Sequence, residues 1–108
     1  MVCPVDLADS GSVFSATADV RDDQAVVRVT GEVDLATADT MFATATRQQV
    51  ARLTLDLRQV SFFDSAAINA LIRIVDRFPQ GLTVLPSTQV HRVLDLAGLS
   101  DQPWLRPS

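Results

Sequence analysis

Between Arg52 and Phe78 the hydrophobic period of the chain changes from two to 3.6. Leu53, Leu55 and Leu57 alternate with Thr54, Asp56 and Arg58, which predicts a strand over Arg52–Leu57 with one buried face. A connector, Gln59–Phe63, is expected to carry Val60, Phe62 and Phe63 inward. Ile68, Leu71, Ile72, Val75 and Phe78 then recur at helical spacing, predicting an amphipathic helix that opens at Asp64-Ser65 and is ended by Pro79-Gln80-Gly81. A half-buried strand followed at once by a half-buried helix needs both a sheet to join and a shared core to face.

The flanking segments supply both. Val13–Val20 reads as a strand, Asp22-Asp23 as a turn, and Gln24–Thr30 as a second strand with Ala25, Val27 and Val29 on one face. Gly31-Glu32-Val33-Asp34 leads into a helical stretch, roughly Ala36–Val50, with Asp34 and Thr37 as candidate N-caps and Met41, Phe42 and Ala45 as core candidates. Leu82–Leu85 is a short strand, and Pro86-Ser87-Thr88 opens a last helix that buries Val90, Val93, Leu94 and Ala97 and ends at Gly98. A terminal edge strand over Trp104–Arg106 fits the tail. The order strand, strand, helix, strand, helix, strand, helix predicts an α/β fold. Its expected form is a small mixed sheet of four to five strands, with parallel crossovers and with helices packed on one face. At 108 residues there is room for one such domain, placed at 13–108 behind a flexible arm, 1–12, that mixes Pro, Gly, Ser and Asp.

Most site chemistries lack their residues. All nine basic residues are arginine, so the P-loop lysine and lysine-based covalent catalysis are excluded. One cysteine (Cys3) and one histidine (His91) are too few for a zinc site, and no nucleophile elbow or glycine-rich phosphate loop occurs. A net charge of −4 disfavours nucleic acid. No apolar run approaches the length of a membrane span, and the N-terminus lacks the pattern of a signal peptide. The expectation is a cytoplasmic protein that is not an enzyme, holds no cofactor or metal and does not insert into membranes. Asp34, Asp56 and Asp64 lie near strand ends and could gather at one rim, although capping accounts for them as well.

The Asp64-Ser65 junction is different, because it delivers a hydroxyl to the first turn of a helix whose other face is buried. Free amides and the positive end of the helix dipole tolerate an anion there, so a phosphate adding about −1.5 to −2 charges would not unfold the helix. An N-cap role for Asp64 or Ser65 fits the same residues.

Four segments together resemble the STAS domain family of sulfate transporters and anti-sigma factor antagonists. They are Gly31-Glu32-Val33-Asp34, Leu55-Asp56-Leu57, Ser61-Phe62-Phe63-Asp64-Ser65, and Val93-Leu94-Asp95-Leu96-Ala97-Gly98-Leu99, in an order and spacing that span about residues 13–106. The resemblance implies that Ser65, directly after the loop aspartate, accepts phosphate from an anti-sigma factor with a histidine-kinase-like ATP-binding fold, and that a phosphatase resets it. Unphosphorylated protein would bind that partner and free a sigma factor. The implied partner surface comprises Glu32, Asp34, Phe63, Asp64, Ser65, Ala66, Asn69 and Arg73. One departure stands out: family members continue with Ser or Thr and then Gly, where this chain has Ala66-Ala67. Alanine favours helix, whereas glycine would let a partner backbone approach closely. That departure, and the short tail after Trp104, are also compatible with an unphosphorylated scaffold, such as the STAS subunits of lipid-transport ABC complexes or a multi-STAS signalling assembly.

Overall fold

The computed structural model describes residues 14–106; the expected arm at 1–12, with Cys3, lies outside them. Four strands, β1 (Phe14–Arg21), β2 (Gln24–Val33), β3 (Arg52–Phe63) and β4 (Leu82–Pro86), form one sheet in the order β1-β2-β3-β4. β1 and β2 are an antiparallel hairpin turning at Asp22-Asp23, with Asp22 at φ 55°. β2, β3 and β4 run parallel, so each step is made through a helix: α1 (Ala38–Arg47) and then α2 (Ser65–Arg77). α3 (Thr88–Leu96) follows β4 and is capped by Ser87, whose hydroxyl accepts from the Val90 amide at 3.1 Å.

Alternation along the strands decides where the helices lie. Ala25, Val27 and Val29, Leu53, Leu55 and Leu57, and Leu82 and Val84 are buried, and they share one core with Met41 and Ala45 of α1, Leu71 and Ile74 of α2 and Leu94 of α3. Residues between them face the open side of the sheet, as the expected one-sided packing requires. The free edge of β4 is closed by the tail, where Val84 N–H donates to the Trp104 carbonyl at 2.7 Å and Arg106 N–H to the Val84 carbonyl at 2.9 Å. The expected edge strand is thus a single parallel bridge, Val84 to Leu105. Among the described residues no helix is long and apolar enough to cross a membrane.

The structure departs from the sequence reading in four places. First, Gln59–Phe63 is not a connector but the second half of β3. Against β2 the register slips between Arg28 and Thr30 and again between Gly31 and Glu32, and each slip leaves one extra residue on β3. These bulges reset the inward positions from a spacing of two to a spacing of three, from Leu57 to Val60 to Phe63. Gly31, at φ 91°, sits at the second irregularity, where a β-carbon would be strained. Second, and as a consequence, Phe62 turns outward and is 43% exposed, while Phe63 is 2% exposed.

Third, the buried stripe of α2 is Ala67, Ala70, Leu71, Ile74 and Phe78; Ile68 and Val75 flank it and Ile72 is exposed. Small alanines on the inner face let the helix lie close, which turns the bulkier isoleucines to the flanks. Fourth, α1 is shorter than expected and begins at Ala38 after a turn, and Ala97 lies outside α3 and is exposed, with Gly98 at C′ as expected.

Asp56 does not join a rim with Asp34 and Asp64. It lies on the open face of the sheet, 7% exposed. Arg58 grips it bidentately, Nε to Oδ1 at 3.0 Å and Nη2 to Oδ2 at 2.9 Å, and Arg28 Nε stands 3.8 Å from Oδ2. The Arg58 side chain holds the Asp56 carboxyl below the usual aspartate range against the opposing effect of burial, helped by the Arg58 amide and by the charges of Arg58 and Arg28. A carboxyl depressed in the folded state stabilises the fold above its unfolded value, near pH 4, and that contribution is lost as pH falls through the folded value. Asp56→Asn is therefore expected to lower the melting temperature at pH 7. The gap to wild type should close as pH drops below about 4 in melts followed by circular dichroism. A gap of constant width down to pH 2 would contradict this account.

Candidate functional site

The carboxyl ends of β2 and β3 lie side by side, with Glu32 paired to Phe62 and Val33 to Phe63. The chain leaves β3 through Asp64, whose amide donates to the Val33 carbonyl at 3.4 Å. Asp64 is the N-cap of α2: its backbone is extended (φ −107°, ψ −169°) and its Oδ1 accepts from the Ala67 amide at 3.0 Å. With that capping role filled by Asp64, Ser65 falls on the first helical residue. It is exposed, and its hydroxyl makes no hydrogen bond with any described residue. The two roles open at this junction are therefore divided, Asp64 holding the helix and Ser65 presenting a free hydroxyl.

The neighbouring strand end is fixed in the same way. Asp34 Oδ1 accepts from the amides of Ala36 at 3.0 Å and Thr37 at 3.2 Å, and the Thr37 hydroxyl donates to the Glu32 carbonyl at 2.9 Å. Thr37 occupies the N-cap position of α1 without a side-chain capping bond, so of the two candidates it is Asp34 that satisfies the free amides before α1. This turn throws Leu35 into solvent at 81% exposure. With Phe62 and with Ile72, at 36% exposure, it leaves three large apolar side chains uncovered at this end of the molecule and along α2.

Along α2 the exposed positions after Ser65 are Asn69, Ile72, Arg73, Asp76 and Arg77. Arg73 is tied to α1, with its guanidinium 4.1 Å above the Phe42 ring and Nη1 3.7 Å from Asp39 Oδ1. Phe42 is thereby half-covered rather than part of the deep core. Glu32, Asp34, Asp64 and Ala66 are all half-buried at the surface. Of the residues expected on the partner surface, Phe63 alone is withdrawn. The bulges place its ring in the core and offer Phe62 instead, along with Leu35, which no sequence pattern singled out. Ala67, where the family usually has glycine, points its methyl fully into the core, so it adds nothing to the surface a partner would meet.

Glu32, Asp34 and Asp64 make the environment of Ser65 acidic, and no arginine lies in the first two turns of α2. These carboxylates do not converge: among the described residues no three acidic, histidine or cysteine side chains are placed to hold a metal ion.

The fold has close counterparts among solved structures. An anti-sigma factor antagonist from Mycobacterium paratuberculosis superposes with a TM-score of 0.78 at 24% identity, over 89% of this chain and 87% of that one. The anti-sigma factor antagonist SpoIIAA in its unphosphorylated form gives 0.69 at 22% identity, over 89% and 88%. The Bacillus cell fate determinant SpoIIAA in its phosphorylated form gives 0.66 at 20%, over 89% and 91%. At these identities the likeness is one of fold. No curated protein matches the chain. The family model of the STAS domain matches residues 15–108, nearly all of the sequence, and includes the β2 end, the Asp64-Ser65 junction and the α3 ending described above. The chain belongs to the STAS domain family.

Proposed function

We propose that the chain is an anti-sigma factor antagonist whose partner binding is switched by phosphorylation of Ser65. The observation that carries this reading is the Ser65 hydroxyl, exposed at the first residue of α2 and without a hydrogen bond to any described residue, in a molecule that also leaves Leu35, Phe62 and Ile72 uncovered. The solved structures of similar fold include antagonists in both unphosphorylated and phosphorylated forms, which supports the same reading. In the unphosphorylated state the patch of Glu32, Asp34, Asp64, Ser65, Ala66, Asn69 and Arg73, with Leu35 and Phe62 as apolar anchors, docks an anti-sigma factor of histidine-kinase-like fold. The sigma factor is thereby released. That partner then transfers the γ-phosphoryl group of its ATP to Ser65 Oγ. The hydroxyl proton passes to a base on the kinase, ADP departs, and a phosphatase later hydrolyses the ester.

The charge accounts for the switch. Phosphate brings about −1.5 to −2 charges to a helix start that accepts them in free protein, but in the complex they must be desolvated beside Asp64, Asp34 and Glu32. Incubation with the cognate anti-sigma kinase and Mg·ATP is expected to phosphorylate wild type and to leave Ser65→Ala unlabelled, as read by intact-protein mass spectrometry. Label absent from wild type, or retained in Ser65→Ala, would overturn the switch. Unlabelled wild type that still binds its partner would identify a constitutive scaffold instead.

A further inference from the structure

The opposite end of the sheet carries a second, unrelated feature. Ser65 follows the carboxyl end of β3, and at the amino end of the same strand, roughly 36 Å away at about 3.3 Å per residue, the surface is hollowed. A cavity of about 490 Å³ opens between the starts of β2, β3 and β4 and the tail, faced by Arg52, Arg106, Gln24, Gln80, Thr54 and Thr83. Trp104 forms part of its wall. A second hollow of about 370 Å³ shares Arg52, Gln80 and Gly81 with the first and adds Arg77 from the end of α2. Gly81, shared by both hollows, lets the start of β4 pass close to Ala51, whose carbonyl a β-carbon there would strike.

The charge of this cleft runs against that of the chain. The protein has 13 acidic residues and a net charge of −4, yet among the described residues no acidic one lines either hollow, while three arginines do. Among the described residues none of these three guanidinium groups is paired with a carboxylate; the ion pairs use Arg28, Arg58 and Arg73. Asp23, next to Gln24 of the lining, is committed to the backbone, its Oδ1 accepting from the Ala51 amide at 3.0 Å. Arginine forks match planar or tetrahedral oxyanions, and amide and hydroxyl side chains complete the hydrogen bonds such groups require. The volume of the first hollow alone falls in the range of small-molecule sites. The geometry points to a binding site for a small organic anion, a carboxylate or phosphate held between Arg52 and Arg106, at the pole remote from Ser65.

Trp104 is the only tryptophan in the chain, so intrinsic fluorescence reports on this wall alone. The protein is titrated at constant ionic strength with citrate in one arm and inorganic pyrophosphate in the other, with isothermal calorimetry in parallel. Saturable binding in one arm is expected and names the chemistry. Arg52→Gln and Arg106→Gln should each weaken it about tenfold, in line with the loss of one charge-assisted hydrogen-bonded contact, and the double variant should abolish it. Arg92→Gln, on α3, should bind as wild type does. Each variant is checked by its melting curve, since these arginines are exposed and their loss leaves the core intact. No saturation below about 10 mM in either arm, or undiminished binding by the folded double variant, would overturn the site.

Discussion

Ser65→Glu is expected to weaken the proposed complex with an anti-sigma factor about a hundredfold while leaving the melting temperature of the free chain at or slightly above the wild-type value. The two effects separate because the same charge meets different surroundings. In the free protein a carboxylate at the first residue of α2 faces unpaired amides and the positive end of the helix dipole, a placement worth about 0.3–1 kcal/mol. In the complex it must shed water next to the Asp64, Asp34 and Glu32 carboxylates, and no arginine within two turns of α2 is there to compensate it. Desolvating an unpaired charge in an interface costs about 2–5 kcal/mol, and about 2.7 kcal/mol is a hundredfold in Kd. Ser65→Ala, which removes the hydroxyl without adding charge, should bind within a few-fold of wild type. Calorimetry on the three proteins with the purified partner decides the matter. Equal affinity for Ser65→Glu and wild type would place the interface elsewhere, and a lower melting temperature for Ser65→Glu would mean that the junction is strained rather than accommodating.

The parts of the molecule that were legible in the sequence are those whose signal is local. Leu53, Leu55 and Leu57 mark β3 because alternation needs only a few residues. Asp64-Ser65 marks the start of α2 because a capping aspartate before an apolar 3.6-residue period has one sensible geometry. The parallel crossovers beyond β2 followed from the alternation of strand and helix. What escaped depends on residues meeting across the sheet. The bulges of β3 are a property of its pairing with β2, and without them the segment Gln59–Phe63 breaks the period of two and reads as a connector. The inner face of α2 escaped because its contact residues include alanines, which carry little hydrophobic signal beside Ile68 and Ile72. Leu35 escaped because its exposure comes from the turn built by Asp34 and Thr37, and the arginine-lined cleft because its walls come from four separate stretches of chain.

Two adjacent phenylalanines give the second large effect. The bulges of β3 turn Phe63 into the core and Phe62 toward the proposed partner, so truncating each should damage a different property. Phe63→Ala removes a ring at 2% exposure from the core at the end of β3 and leaves a cavity that a tightly packed core closes only in part. The expected loss is about 3–5 kcal/mol, a large share of the total stability of a small domain, and a fall in melting temperature of roughly 15–25 °C. Phe62→Ala, at 43% exposure, should melt within a few degrees of wild type. If Phe62 is an anchor of the interface, however, its loss should weaken the anti-sigma complex about thirtyfold or more, the effect of removing an aromatic hot spot of about 2 kcal/mol or more. Thermal melts and partner titrations on both variants separate the two roles, and each outcome bears on a specific claim. A stable Phe63→Ala would mean that the β3 register is wrong at its carboxyl end. A Phe62→Ala protein that binds normally would leave the exposed ring without a partner, and the docking surface would then have to be drawn around Leu35 and α2 alone. The contrast between neighbours is the strongest test of the site, because a one-residue slip in β3 would exchange the two phenotypes.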